Sequence, residues 1–492
     1  MFRKQNLSAT FEVVTLIGSG FREMNRQVAK RGGYGQWRDN KRKQLMSEFM
    51  EDREAQKFID GVYEEVVNEV LSVELKRGDS ETQYSSNIDS IRRIYGINNF
   101  ISILIALGKD TLERSGYYSN GNSKKKCLSH LLGVCIPYET DTAEQLKEAL
   151  SKTDIKEKRL IEAALYSPEW IDMVGECLGY PGFKSVCYYF MAHMNEKFDD
   201  IKKAMIAKYT PLTEEQLNDG VFDINWFKNA YEEIGAKRFD LVYDAAKYIS
   251  DGAKHSRARK YADATLGKIN RDEVEEKISD KRNKDLVMAY SLIPLCNEDD
   301  ICRRYLFLQK FQKESKKFGA QRIASEKKAV EISMSNLAMN AGYSDVTRLT
   351  LRMETKLIDD IQDLFEEYSL EDVTVKLHVD ESGKADIICK KAGKTLKSVP
   401  AKLKKNEYMV RLLESKKKLN EQFKRTKLMF EQAMEDETQF TVEEIGILHK
   451  NPVAKSVVRS LVFICGEKVG FLTDGKLVDY AGDETLLAAQ DK

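Results

Sequence analysis

The chain has 492 residues, of which 42% are hydrophobic and 32% are charged, with 79 basic and 79 acidic side chains. This length exceeds one ordinary hydrophobic core, and the composition is that of a folded chain, which excludes global disorder. The balanced charge excludes a long-range field that would attract nucleic acid or an anionic membrane, so a nucleic-acid role requires a local patch.

The cellular compartment follows from three absences in the sequence. The opening residues, MFRKQNLSATFEVVTLIGSG, lack the long apolar core and small-residue cleavage site of a secretory signal. No stretch reaches the roughly 20 apolar residues that cross a bilayer. The eight cysteines are scattered without a short repeated spacing, which favours thiols in a reducing compartment. We therefore expect a cytoplasmic protein with no membrane partner.

Residues 1–43 are predicted to form a basic, partly loop-like N-terminal segment. The glycines of GSG at 18–20 lack the Lys-Ser/Thr of a P-loop and the third glycine of a dinucleotide fingerprint, which favours a turn over a nucleotide site. Arg22–Arg42 interleaves basic residues with Tyr34 and Trp37, a composition typical of single-strand nucleic-acid contacts. Nucleic-acid binding through this segment is therefore one alternative.

Helical periodicity dominates residues 44–370. Apolar residues recur at helical spacing in segments of about 10 to 20 residues, which glycine, proline or asparagine interrupts. Short helices joined by short loops predict helix pairs stacked as an α-solenoid-like (HEAT-like) helical array, although no strict repeat period is present. The predicted helices include Phe58–Leu75, Ile88–Leu107, Thr142–Tyr166, Pro168–Leu178, Gly182–His193, Trp226–Ile234, Arg238–Ile249 and Asp272–Leu292.

Six cysteines and histidines in this array invite comparison with zinc ligands. Their spacings do not match paired CxxC knuckles, and cysteine is among the most buried residue types in ordinary cores. No Ser-His-acid trio and no Cys-His pair has the local context of a nucleophilic enzyme. We therefore predict no metal site and no cofactor. The residues compared are Cys127, His130, Cys135, Cys177, Cys187 and His193.

The segment Phe318–Lys356 places a polar stripe beside an apolar stripe on one predicted helix. At about 100° per residue, the two stripes lie roughly 100° apart, so the polar stripe is at the flank of the core, where polar groups need partners. The following NAGYSDVTR predicts a helix end at Gly342 and a new helix capped by Ser344 or Asp345. The apolar stripe comprises Ile323, Val330, Met334, Leu337 and Ala341.

Two interpretations of the polar stripe are open. In the structural one, Arg322 and Glu326 form an i,i+4 ion pair that holds the helix, and the asparagines bind loop carbonyls. In the functional one, arginine clamps an anionic or nucleotide-like ligand, glutamate acts as a base and the amides orient the ligand. The polar stripe, with two residues from the next segment, comprises Arg322, Glu326, Ser333, Asn336, Asn340, Tyr343 and Arg348.

The pattern changes from helical to extended after Leu370. Apolar residues alternate with polar ones over Val373–Val379, DESGK predicts a turn, and Ala385–Cys389 predicts a second strand. Residues 371–400 are therefore predicted to form a β-hairpin insertion.

The last part of the chain is predicted to contain one long helix and one small unit. Apolar residues that recur seven or four positions apart along the sequence predict a long amphipathic helix over 401–437. Glutamates interrupt its lysine-rich stretch, Lys402–Lys427, which predicts a solvated face and not a phosphate track. Two short helices followed by strands are expected in 438–492, a small C-terminal α/β unit.

Several long segments resemble a known family. AQRIASEKKAVEISMSNLAMNAGYSDVTRLTLRMETK, GKTLKSVPAKLKKN and HKNPVAKSVVRSLVF resemble the bacterial, WGR-associated family of unknown function called MolR-like, and IEAALYSPEWIDMVGECLGYPGFKSVCYYFMAHMN and HSRARKYADATLGKI match its helical region in order. The resemblance implies a large helical bacterial protein of the cytoplasm and supplies no catalytic residues. Members are usually longer, so we expect a short member or a fragment.

From these patterns we predict a mainly α protein that acts as a cytoplasmic scaffold or regulatory protein and binds a protein partner through its helical array and long helix. The alternatives are an enzyme built on the polar stripe and a nucleic-acid-associated protein. No catalytic residue is assigned.

Overall fold

The computed structural model describes residues 53–114, 121–194, 196–250, 252, 254–396, 398–473, 475–489 and 491. It is mainly helical with small antiparallel sheets toward the C-terminus, which confirms the mainly α prediction. The chain forms two compact units, Met1–Asn270 and Arg271–Lys492. Their boundary falls inside the predicted array 44–370, because periodicity detects helices but not which helices share a core. None of the described helices is long and apolar enough to cross a bilayer.

The first unit is built from helices that are mostly about 6 to 11 residues long. Among its described residues, a short sheet pairs β1 (Ile94–Tyr95) in parallel with β2 (Cys135–Ile136). Single 3₁₀ turns cover Ser85–Ser90, Pro168–Trp170 and Ala246–Tyr248. The described helices are α1 (Arg53–Glu74), α2 (Ile97–Leu107), α3 (Lys124–Gly133), α4 (Ala143–Ser151), α5 (Glu157–Tyr166), α6 (Ile171–Leu178), α7 (Phe183–Ala192), α8 (Asp200–Ile206), α9 (Glu214–Asp219), α10 (Ile224–Ile234), α11 (Ala236–Ala245) and α12 (His255–Thr265).

Aromatic side chains around α7 form the centre of the first unit, and we call the set Tyr189, His193, Phe222, Trp226 and Tyr261 the aromatic core. The Tyr189 and His193 rings lie 4.8 Å apart, and Phe222 lies 5.1 Å from the imidazole. The Nδ1 atom of His193 lies 2.9 Å from its own helix's Tyr189 carbonyl, and Nε2 has no partner among the described residues. Burial lowers the pKa of His193 to about 4, so this imidazole is neutral.

The second unit combines eight described helices with two small sheets. Single 3₁₀ turns cover Gln362–Phe365 and Ala401–Leu403. The helices are α13 (Arg271–Lys281), α14 (Lys284–Tyr290), α15 (Glu298–Ser315), α16 (Ala320–Asn340), α17 (Val346–Asp359), α18 (Glu407–Glu435), α19 (Val442–Lys450) and α20 (Ala454–Val458).

Some predicted helices are divided in the structure. Thr142–Tyr166 contains α4 and α5, and Asp272–Leu292 contains α13 and α14. The second division occurs at Arg282, whose φ of 48° is left-handed, a conformation that ends a helix. The next residue, Asn283, then caps α14 by accepting a hydrogen bond from the Leu286 amide. The helical period predicted one helix because an arginine carries no local stop signal.

The junction of α16 and α17 follows its local sequence. The Tyr343 amide donates to the Ala338 carbonyl and the Gly342 amide to the Met339 carbonyl, which is a Schellman ending with Gly342 at a φ of 80°. The Asp345 side chain then accepts from the Arg348 amide and caps α17. Glycine and aspartate are the residue types these two positions favour, and the predicted boundary is confirmed.

The first sheet of the second unit packs under the long helix α18. Its strands lie in the order β3 (Tyr368–Leu370), β4 (Val373–Val379), β5 (Ala385–Lys391) and β6 (Lys394–Thr395), all antiparallel. The alternating apolar residues of β4 are buried with Leu412 and Leu419 of α18. The hairpin turn is closed by Asp380, whose carboxylate accepts from the Ser382 and Lys384 amides.

The second sheet lies near the C-terminus of the chain. Its antiparallel strands are ordered β10 (Glu484–Leu486), β9 (Lys476–Val478), β8 (Lys468–Thr473) and β7 (Val462–Cys465). Leu472 of β8 packs with Phe430 of α18 and with Ile445 and Leu448 of α19. The short helix α20 (Ala454–Val458) directly precedes this sheet, and the first strand, β7, begins at Val462.

Candidate functional site

The predicted polar stripe on α16 begins at a buried carboxylate, and we call Arg282, Ser315, Arg322 and Glu326 the Glu326 cluster. Glu326 is 1% exposed. Arg282 Nη2 lies 2.6 Å from Oε2 of this carboxylate, and Arg322 Nε lies 2.9 Å from Oε1. Burial by itself would raise the pKa of Glu326, but hydrogen bonds from Arg282, Ser315 and Arg322 lower it to about 2. The carboxylate is therefore charged and fully partnered at neutral pH.

Further along α16, the stripe holds the end of α14 and the chain that follows it. Asn340 Nδ2 donates to the Ser291 and Ile293 carbonyls at 2.9 and 3.0 Å. Ser333 Oγ donates to the Val287 carbonyl at 2.7 Å, and Asn336 donates to a carbonyl of the same helix α14. These bonds give hydrogen-bond donors to main-chain oxygens at the end of α14, and the Ile293 carbonyl also accepts from Arg304.

The two predicted residues beyond α16 also have protein partners. Arg348 Nη1 lies 2.6 Å from Asp345, and its Nε lies 2.9 Å from Glu444 of α19. Burial raises the pKa of the half-buried Tyr343, while a hydrogen bond with Arg352 opposes the shift. Arg348 thus holds helices α17 and α19 to one another.

These partners account for the whole polar stripe as internal bracing of the second unit. A catalytic base or anion clamp has to present a free group to its ligand. Glu326 already accepts from three side chains, and the asparagine amides already donate to main-chain carbonyls. The enzyme hypothesis at this stripe stays a prediction, and the structure places its proposed base and amides in hydrogen bonds within the protein.

A second buried carboxylate joins three helices of the same unit. Glu354 of α17 accepts from the Tyr305 hydroxyl of α15 at 2.6 Å and from Arg425 Nε of α18 at 2.7 Å. Gln422 of α18 donates to the Glu354 carbonyl at 3.0 Å. This set of bonds fixes α15, α17 and α18 around one point, and a groove opens beside it.

We call this feature the lysine groove: α15 and α18 form its walls, and the end of α17 lies at its floor. It has a volume of about 910 Å³. Lys313 of α15 contacts Glu421 of α18 at 2.6 Å, whereas Tyr305 contacts Arg425. The earlier residue of α15, Tyr305, contacts the later residue of α18, Arg425, and the later residue of α15, Lys313, contacts the earlier residue of α18, Glu421. The two helices that form the walls are therefore antiparallel.

The charges lining the lysine groove are unbalanced. Eight basic and three acidic described side chains line it. The acidic ones and four of the basic ones are neutralised in ion pairs, such as that of Lys313 with Glu421 and that of Lys356 with Asp299. The remaining four lysines are exposed and form no ion pair with any described residue. They are Lys310 of α15, Lys316 directly after that helix, and Lys418 and Lys424 of α18.

The floor of the lysine groove is apolar. Leu306 is 39% exposed, and Leu357, Ile361 and Leu419 line the groove with it. Burial raises the pKa of Cys302, the one cysteine among the described lining residues, to about 11, so its thiol is protonated at neutral pH and is a weak nucleophile. The groove is suited to binding, because it has positive walls and an apolar floor.

The other predicted features lie apart from the groove. Cys127, Cys135, Cys187 and His193 are buried in the first unit, and the described part of the chain contains no cluster of three His, Cys, Asp or Glu side chains that could hold a metal. Both GSG at 18–20 and the basic stretch Arg22–Arg42 lie outside the described residues.

Sequence reasoning missed the lysine groove. From the sequence, the lysines of Lys402–Lys427 were predicted to form a solvated face, and the residues of α15 were not predicted to line a site. One signal was present, because Leu306, Lys310 and Lys313 recur at helical spacing on α15 and place an apolar residue beside cations. The partner wall on α18 lies about a hundred residues further on, and no local pattern connects the two.

The comparisons with known proteins identify two families. A family of unknown function, DUF5724, matches residues 31–353, and a domain of unknown function, DUF4132, matches residues 393–492. Neither is the MolR-like, WGR-associated family, so the predicted resemblance was wrong; the quoted segments lie mostly within these two matches. Neither the curated proteins nor the solved structures yielded a match. The DUF5724 match covers about two thirds of the 492 residues of this chain, and the chain therefore belongs to the family of unknown function DUF5724.

Proposed function

We propose that the chain is a cytoplasmic helical scaffold that binds a protein partner, and that the lysine groove receives a segment of that partner. The observation that carries this proposal is the exposed Leu306 between two walls with unpaired lysines. An exposed apolar side chain in a depression flanked by charges is typical of a protein contact site, in which an apolar centre is surrounded by a polar rim.

The arrangement of helices supports a scaffold. Consecutive helices of the first unit, among them α5 and α6, α6 and α7, and α10 and α11, pack on each other. Such packing between neighbours in sequence supports a solenoid-like stacking of helix pairs in this part of the chain. Solenoid-like arrays commonly expose extended surfaces for partners, and the absence of a free catalytic group at the polar stripe favours binding over catalysis.

Site-specific photocrosslinking tests this function. A photoreactive phenylalanine derivative would replace Leu306 in the full-length chain, expressed in its native cells, and crosslinked proteins would be identified by mass spectrometry. The matched control carries the same group at Val410 of α18, which is 40% exposed, has the same apolar character and does not line the groove.

We expect a discrete crosslinked protein from position 306 and little or none from position 410. Equal labelling from both positions, or none from either, would contradict binding of a protein in the groove.

A further inference from the structure

We infer that the segment received by the lysine groove is an acidic amphipathic helix, with acidic side chains toward the two walls and leucine-like side chains toward the floor. This inference rests on the proposed function and adds the chemical class of the partner. It follows from the charge of the walls, the character of the floor and the length of the groove, and it excludes nucleic acid as the preferred occupant.

Charge complementarity is the first argument. Lys310 and Lys316 lie on one wall and Lys418 and Lys424 on the other, and none of the four forms an ion pair with a described residue. Carboxylates on both flanks of a bound helix would meet cations on each side. Opposed charges of this kind accelerate encounter and fix the orientation of the bound segment, while like charges exclude basic partners.

The floor and the length supply the second argument. Leu306, Leu357 and Ile361 would contact residues that recur every three or four positions on the apolar face of a helix. The groove follows α15 from Asp299 to Lys316, a span of about 26 Å at 1.5 Å per residue. A helix of about 18 residues fills that length.

The groove lacks the features with which proteins bind nucleic acid. No aromatic ring lines it among the described residues, so it offers no platform on which bases could stack. Its two arginines are already occupied, since Arg303 pairs with Asp272 and Glu275 and Arg425 pairs with Glu354. The free cations are lysines, which bind carboxylates without needing the bidentate geometry of arginine.

The test uses the full-length chain and a designed peptide probe. The probe is a fluorescent helical peptide of about 18 residues, closed by a side-chain staple, with leucines on one face and glutamates on both flanks. Its control has the same composition in an order that forms no apolar face. A single-stranded oligonucleotide of similar length serves as competitor, and binding is measured by fluorescence anisotropy at several salt concentrations.

Charge reversal locates the bound probe. The double substitution Lys310→Glu and Lys418→Glu reverses one cation on each wall, and we expect it to weaken binding by about ten- to a hundredfold. The matched control, Lys317→Glu with Lys417→Glu, makes the same change of net charge near the same helices but outside the groove lining, and should weaken binding much less. A probe with lysines in place of glutamates should bind the Lys310→Glu, Lys418→Glu variant better than the original chain.

Each result decides the inference. Binding of the amphipathic probe, lost in the groove variant and kept in the control variant, supports it. Equal binding of the rearranged peptide, equal loss in both variants, or displacement of the probe by the oligonucleotide overturns it. If position 306 crosslinks a protein while the probe does not bind, the partner class is wrong and the scaffold function stands. If position 306 gives no specific crosslink and the probe does not bind, both the scaffold function and the partner class are wrong.

If the Lys310→Glu, Lys418→Glu variant unfolds, the variant Lys310→Gln with Lys418→Gln replaces it. Removing the two charges without reversing them should weaken probe binding by a smaller factor.

Discussion

The two units bury a titratable side chain in opposite ways. In the aromatic core of the first unit, His193 has one main-chain partner and stays neutral because burial penalises its charged form. In the second unit, Glu326 is equally buried but stays charged because two arginines and a hydroxyl donate to it. Burial alone therefore removes a charge, whereas burial with partners keeps the charge and uses it to connect helices.

The largest effect is expected from removing the main partner of Glu326. Arg282→Met would leave this carboxylate with only Arg322 and Ser315, and loss of one member of a buried ion pair costs about 3–5 kcal/mol. Hydrogen exchange measured on peptides from α16 should show the lost protection. Arg411→Met, which breaks the exposed ion pair with Asp363, is the control and should change stability by less than about 1 kcal/mol.

Unchanged protection of α16 in Arg282→Met would contradict the view that charge pairing connects the helices of the second unit. If only α13 loses hydrogen-exchange protection and α16 keeps it, Arg282 stabilises the left-handed turn after α13 and does not hold Glu326.

The next largest effect is a difference between the two units in how their free energy of unfolding depends on pH. Because the folded pKa of His193 is about 4 and its ordinary value is 6.5, the unfolded chain binds more protons between these values, and the first unit loses up to about 3 kcal/mol as the pH falls from 6.5 to 4. The stability that Glu326 contributes is present above pH 4.5 and is lost only as the pH falls toward 2.

Tryptophan fluorescence distinguishes the two pH windows, because the two described tryptophans, Trp170 and Trp226, are buried in the first unit and no tryptophan follows Trp226 in the sequence. The slope of its stability between pH 6.5 and 4 should flatten in His193→Leu. The control His378→Leu removes an exposed imidazole of the second unit and should leave that slope unchanged. A slope that persists in His193→Leu would show that another group titrates.

A smaller effect is expected where the polar stripe binds main-chain carbonyls. Asn340→Ala removes two hydrogen bonds and leaves the Ser291 and Ile293 carbonyls without this donor, at a cost of about 1–3 kcal/mol. Ser335→Ala on the same helix removes a bond to its own turn and should cost less than about 0.5 kcal/mol. Equal effects in urea unfolding would mean that the stripe is not bracing the end of α14.

The smallest effect is expected from removing a helix N-cap, and it should be the same in both units. Thr213 of the first unit and Thr441 of the second each form a capping box, with Gln216 and Glu444. Replacing either threonine by alanine should cost about 1 kcal/mol, measured by thermal unfolding. If the two substitutions lower the free energy of unfolding by similar amounts, the units differ only in how they hold their buried titratable groups. If the two amounts are clearly unequal, the units also differ in local helix stability.

Local signals predicted much of the fold. The alternation of Val373–Val379, followed by DESGK, predicted the hairpin of β4 and β5, because side-chain alternation and turn chemistry are properties of neighbouring residues. The ending of α16 at Gly342 and the cap at Asp345 were predicted for the same reason. The division at Arg282 was not, because the residue that holds the arginine lies 44 positions further on.

The sequence by itself determined the mainly helical class, the hairpin and the position of a polar stripe on α16, since each depends on spacing within a few turns of chain. Only the tertiary structure decided that the stripe braces the second unit and that unpaired lysines line a groove. Lys313 and Glu421 are 108 residues apart, yet they meet across that groove. Which charges are paired and which are free depends on the helices that share a core, and that arrangement is set by packing along the whole unit and not by local periodicity.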